Sequence, residues 1–170
     1  MKILLLGATG RTGKHVLTKA LDNGHEVICL TRNGSRIKTR KNLIVVEGNP
    51  KNKQDLLQAS LGCHAVISTL NISRTSDFPW SKLRTEKKYL SQVMQTLLAV
   101  AEQNKIPRIV ICSAWGVSET KKDLPAWFNW FIDHSNIRFA YEDHERQEAL
   151  LMQSTFDWTI KVLKRGIYKK

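Results

Sequence analysis

The 170-residue sequence predicts an α/β fold, a doubly wound parallel sheet of about six strands. Three observations carry that prediction. Short apolar runs without polar alternation recur along the chain, the pattern of parallel strands covered on both faces. Amphipathic stretches at helical spacing lie between them. The first apolar run ends in a glycine turn, and that turn opens the first amphipathic stretch. Strand and helix in alternation require right-handed crossovers, so the strands lie side by side and parallel.

The elements follow in order. KILLLG (2–7) is the first strand; only Met1 precedes it, too little for a signal peptide. Thr12 to Asn23 is a helix, with Val16, Leu17, Ala20 and Leu21 as its apolar stripe and Gly24 as its C-terminal stop. EVICLT (26–31) and NLIVVEG (42–48) are strands two and three. A short helix around Lys53–Ser60 ends before Gly62, and HAVISTL (64–70) is strand four. After the irregular stretch NISRTSDFPWS, a long helix is predicted from about Lys82 to Gln103, with Leu90, Val93, Met94, Leu97, Leu98 and Ala101 on one side. RIVICSA (108–114) is strand five, 125–153 holds two helices, and FDWTIKVL (156–163) is strand six. No repeat or linker divides the chain, so a single domain over 1–170 is expected.

The net charge of +12 points to an anionic ligand. The densest cluster, RNGSRIKTRK (32–41), holds five basic residues and no acid, and a smaller group closes the chain in KVLKRGIYKK. The cluster has neither a recognition helix nor interleaved stacking aromatics, so nucleic acid is not the expected partner. No apolar run has the length of a membrane span, which predicts a cytoplasmic protein without a membrane partner. Cys29, Cys63 and Cys112 lie in or beside apolar runs without C-x-x-C spacing, as buried reduced thiols do, and no metal site is expected.

The turn GATGRTGKH (7–15) fits two ligands at first reading. A triphosphate loop needs Ser or Thr after its lysine and an acidic strand end to hold magnesium. Position 15 is His, and the strands end Thr31-Arg32, Gly48-Asn49, Thr69-Leu70 and Ser113-Ala114. A dinucleotide turn needs only glycines where backbone turns tightly, approaches a pyrophosphate and lets the helix pack on the strand. Gly7, Gly10 and Gly13 suit those roles, the amides at the helix start hold the anion, and Thr9, Arg11 and Thr12 add donors. The second strand then separates the cofactors. It ends Leu30-Thr31-Arg32 with no acid for ribose hydroxyls and an Arg for a 2′-phosphate, so NADP(H) is predicted over NAD(H).

Together GATGRTG, the TRN after strand two, Gly48-Asn49, the STL at strand four, ICSAWGV and EALLMQSTFDWTI resemble the atypical short-chain dehydrogenases of NAD(P)H-binding type. These include the NmrA-like proteins and the flavin reductase/biliverdin-IXβ reductase type. The resemblance spans nearly the whole chain and implies a Rossmann fold. It implies that Gly7, Thr9, Gly10, Arg11, Thr12 and Gly13 hold the pyrophosphate and Arg32 the 2′-phosphate. Asn49 would lie near the adenine, and Thr69, Leu70 and Ser113 along the ribose and nicotinamide. Two departures follow. Family enzymes use a Ser with Tyr and Lys four residues apart, but matching through Glu148 puts Ala140 and His144 in the Tyr and Lys places, and Tyr141 meets Glu145 at plus four. Ser113 and His144 are then the catalytic candidates, His144 as a proton donor with an ordinary pKa near neutrality. Relatives also continue past DWTI with an Arg-Pro pair and a longer substrate side, so the resemblance leads one to expect that side to be reduced or absent here. The expected function is hydride transfer from NADPH to a flavin, quinone or similar planar acceptor. The alternative is a non-catalytic NADP(H)-binding regulator acting through a protein partner. PAWFNWFIDH puts Trp127, Phe128, Trp130 and Phe131 on one helix, to pack on the domain, wall the substrate pocket or join two copies as a homodimer.

Overall fold

Residues 1–163 are described by a computed structural model. Its strands are β1 (Lys2–Leu6), β2 (Glu26–Thr31), β3 (Leu43–Glu47), β4 (Ala65–Ser68), β5 (Arg108–Ala114) and β6 (Asp157–Leu163). Its helices are α1 (Arg11–Asp22), α2 (Lys53–Ala59), α3 (Tyr89–Gln103), α4 (Ala126–Asp133) and α5 (Arg138–Met152). All six strands are parallel, in the order β3-β2-β1-β4-β5-β6. The predicted Rossmann architecture is therefore present. The last residues of the basic C-terminal group, 164–170, lie outside the described residues.

Alternation within the strands feeds two cores. Leu4, Leu6, Ile28, Leu30, Val66, Ile109 and Ile111 face the larger one, which they share with α2, α3 and α5. Leu5, Val27 and Cys29 face the smaller one, under Leu17 and Ala20 of α1. The apolar runs of β1 and β2 are continuous because both faces are covered. On β5 every second residue is buried, and Val110 and Cys112 on the opposite side are only half-buried. Burial pushes the Cys29 thiol up to about 12 and Cys63 up to about 11, as inert buried thiols require. No helix of the described residues is long and apolar enough to cross a membrane.

One boundary is corrected. The predicted helix from about Lys82 begins only at Tyr89. Residues 82–84 instead run antiparallel to 73–75: Thr75 N donates to Lys82 O at 2.9 Å and Arg84 N to Ser73 O at 2.8 Å. The true start of α3 is fixed by Asp143 of α5, whose Oδ2 accepts from Leu90 N at 2.6 Å.

Candidate functional site

The sheet order reverses between β1 and β4, which opens a crevice at their carboxyl ends. The glycine turn lies there. Gly7 takes φ +85°, and a Cβ on it would stand 2.8 Å from Thr69 Oγ1, so the position excludes side chains twice over. Thr69 ties the two strand ends together, its N and Oγ1 donating to Leu6 O at 2.9 and 3.0 Å. Gly13 packs helix on strand: a Cβ there would overlap the Gly7 carbonyl oxygen and approach Ala8 Cα to 2.9 Å. Gly10 N donates to Gly7 O and Lys14 N to Gly10 O, each at 3.0 Å. The intervening amides of Arg11, Thr12 and Gly13, at the start of α1, are left for an anion. This close-packed cradle fits a dinucleotide pyrophosphate.

The turn opens on a cleft of about 470 Å³. Gly10, Arg11, Thr12 and Thr69 line one side, Ala114, Ala140, Tyr141 and His144 another, and residues 71–77 a third. Ala140 and His144, the positions matched to the Tyr and Lys of family enzymes, thus share a wall with Ala114. Ser113 is 3% exposed, and its Oγ lacks a hydrogen-bond partner among the described residues. Its neighbour Ala114 lines the cleft; Ser113 itself does not. Burial raises the Tyr141 phenol above its ordinary pKa, so it does not ionise near neutrality.

His144 lines the cleft from a buried position. Its imidazole is 3% exposed, and burial pushes its pKa down to about 4. Burial thus favours the uncharged imidazole at neutral pH. Its Nε2 lies 3.3 Å from Asn71 Oδ1, which also accepts from Ile72 N at 2.8 Å. An oxygen acceptor there puts the ring proton on Nε2, an assignment that follows the orientation of the Asn71 amide. His144 therefore positions the 71–77 wall.

A stability prediction follows. An unfolded histidine titrates near 6.5 and the folded one at about 4. As pH falls, the unfolded chain binds the proton first, so the contribution is complete above about pH 6.5 and is lost towards pH 4. The loss at pH 4 is about 3 kcal/mol, and His144→Gln should flatten the stability profile in that window. Urea titrations at several pH values check this; parallel profiles for the two proteins would refute it.

Arg32 after β2 and Asn49 after β3 are the expected contacts of the 2′-phosphate and the adenine. Arg32 is exposed, follows β2 and makes no ion pair among the described residues. Its guanidinium lies 6.0 Å from the Tyr89 ring centroid, at the start of α3. Of the cluster behind it, Arg40 is taken up by Asp22 at 2.9 Å. Asn49 follows β3 away from the cleft wall; its N donates to Asp55 Oδ2 at 2.8 Å and its Oδ1 accepts from Lys51 N at 3.1 Å. Leu70 packs on the larger core. Asn71 and Arg74 fall in the stretch just after strand four, where ligands of such sheets bind, though neither is individually expected there; Tyr89 is placed only by the folded chain. On α4, Ile132 is buried while Trp127 and Trp130 are 69% and 62% exposed, so the tryptophans face outward.

Fold and cleft together define a dinucleotide-binding domain of Rossmann type. The chain matches the NAD(P)H-binding family over residues 7–162 and belongs to it. Among curated proteins it is similar to photosystem II assembly factor Ycf39. It is 35% identical over 79 residues to that of Cyanophora paradoxa, covering 45% of this chain and 24% of the relative. To that of Synechocystis sp. it is 27% identical over 138 residues, covering 72% and 42%. The chain thus spans less than half the length of these relatives. Among solved structures, a short-chain dehydrogenase/reductase from Veillonella parvula in complex with NADP superposes with a TM-score of 0.71 at 19% identity, over 94% of this chain and 67% of that one. ChuY, an anaerobillin reductase from Escherichia coli, gives 0.73 at 19%, over 94% and 71%. At such identity these likenesses establish the fold.

Proposed function

We propose that this protein binds NADP(H) along the glycine turn and passes hydride to a flavin, quinone or similar planar acceptor in the adjoining cleft. The carrying observation is the meeting of the two: the anion cradle at Arg11–Gly13 opens directly on the cleft wall of Ala114, Ala140 and His144. When bound, NADPH supplies the hydride, two electrons with one proton, and the second proton of the reduced acceptor comes from water. Ala114 and Ala140 keep the wall open for planar rings. Neutral His144 holds Asn71 in place. A planar acceptor of this kind demands less of a protein acid than a ketone does, in keeping with a wall that lacks a charged proton relay. Oxidation of NADPH with a panel of flavins and quinones tests the reading; tight NADPH binding without turnover on any of them would refute it.

The same lack of a relay favours a second reading, an NADP(H)-binding regulator that acts through a protein partner. The assembly-factor names of the Ycf39 relatives support it. Tight binding without turnover is its expected outcome.

The preference for NADP(H) over NAD(H) rests on Arg32, the exposed cation after β2. Arg32→Ala should weaken NADPH about ten- to a hundredfold, the worth of a charge-assisted contact, and leave NADH unchanged. Fluorescence titration of both nucleotides reads this directly, and an unaltered NADPH affinity would remove the assignment.

A further inference from the structure

We propose that the aromatic face formed by α4 and residues 78–80 is a dimer interface, and that it is covered by the same face of a second copy of this chain. Phe78, Trp80, Trp127 and Trp130 are 62%, 48%, 69% and 62% exposed. They belong to one strip rather than to scattered positions. Ring centroids follow one another at 5.3 Å from Phe78 to Trp80, 5.6 Å from Trp80 to Phe131, 6.0 Å from Phe131 to Phe128 and 5.4 Å from Phe128 to Trp127. Trp130 stacks on His134 at 4.5 Å. A monomer seldom leaves so much contiguous aromatic surface in water.

The strip is rigid before any partner arrives. Trp80 Nε1 donates to His134 O at 2.8 Å, just past the end of α4. Asn136 Nδ2 donates to Trp80 O at 2.8 Å and Asn136 N to Pro79 O at 3.1 Å. These bonds hold 78–80 against the end of α4, so association costs little further side-chain ordering. None of the rings lines the cleft beside the glycine turn, and the strip is separate from it.

Two observations select a second copy as the occupant. The first is area. At these exposures the four side chains leave about 500 Å² of aromatic surface in water. A standard interface takes about 800 Å² from each partner, and the core of a homodimer interface is about 65% apolar, so the strip has the size of one apolar interface centre. The second is the border. Exposed charges of both signs flank the two segments, Asp77 and Lys82 beside 78–80, and Lys122, Asp123 and Asp133 beside α4. Apart from Asp77, which meets Arg11, none of them has an ion-pair partner among the described residues. A two-fold axis lays the face against itself, which offers the cations of one copy to the acids of the other. The same acids would be repelled by the phosphates of an anionic membrane. The net charge of +12 opposes pairing at long range, but physiological salt screens that repulsion beyond about 8 Å.

Analytical ultracentrifugation of the full chain from about 1 to 200 μM tests the proposal. Wild type should form dimers and no larger species. Trp130→Glu should abolish the dimer across this range, and Trp127→Ala should weaken it about tenfold or more. Circular dichroism spectra should match wild type for both; Trp127→Ala only trims an exposed ring, and it decides the matter if the charged variant fails to fold. Acrylamide quenching of tryptophan fluorescence should fall as wild type is concentrated and stay constant in Trp130→Glu. A wild type that is monomeric throughout, or a dimer that survives in folded Trp127→Ala and Trp130→Glu alike, overturns the proposal. A monomer that instead sediments with vesicles of anionic lipid, and loses them on Trp130→Glu, would give the strip to a membrane.

Discussion

Gly13→Ala is expected to reduce NADPH affinity by about a hundredfold and to destabilise the fold by about 3 kcal/mol. The added methyl overlaps the Gly7 carbonyl oxygen, and the next atoms it meets, Gly7 C and Ala8 Cα at 2.8 and 2.9 Å, are also backbone. No side chain can rotate away to relieve the clash. The first turn of α1 must lift from β1, and the amides of Arg11 to Gly13 lose their common aim. Gly24→Ala is the matched control. Unlike Gly13 it has a positive φ, +76°, and nothing lies within 4 Å of its added methyl. It should cost only about 1 kcal/mol of backbone strain and leave binding intact. Nucleotide titration and thermal melts of the two variants separate site geometry from general strain. Wild-type affinity in Gly13→Ala would show that the turn does not cradle the cofactor.

The features legible in the sequence were those with local causes. KILLLG and EVICLT read as strands because both faces of β1 and β2 are buried, which leaves an unbroken apolar run. The glycine turn was legible because its backbone demands fall within seven consecutive residues. Arg32 was legible because it directly follows a strand end. The start of α3 was not: its cap comes from Asp143, 53 residues along the chain from Leu90. The basic and polar stretch 82–88 reads as a first helical turn only until its pairing with 73–75 is known. The pKa of His144 was illegible for the same reason, since burial under the 71–77 wall belongs to the tertiary fold.

Asp143→Ala is expected to cost about 3–4 kcal/mol, the largest stability loss of any single substitution considered. Its carboxylate is fully buried and bridges two helices. Oδ2 accepts from Leu90 N at 2.6 Å, and Oδ1 accepts from Ser91 Oγ at 2.5 Å and, at 3.4 Å, from Ser91 N. Lys88, at the N-cap position of α3, makes no side-chain cap of its own, so these bonds serve the orphan amides of the helix. Arg146 Nη1, at 3.9 Å from Oδ1, adds a partly solvated positive charge. Alanine would leave Leu90 N and Ser91 Oγ buried without partners. Asparagine keeps the shape and one acceptor, so Asp143→Asn should lose about half as much. The consequence reaches the cleft because α5 lines it. Asp143 is adjacent to His144, which holds Asn71, and Leu90 is adjacent to Tyr89, over which Arg32 lies. Loosening this one carboxylate should therefore weaken NADPH binding as well as the fold. Urea denaturation with and without saturating NADPH measures both effects. A loss below about 1 kcal/mol in Asp143→Ala would show that α3 is held by its apolar face alone.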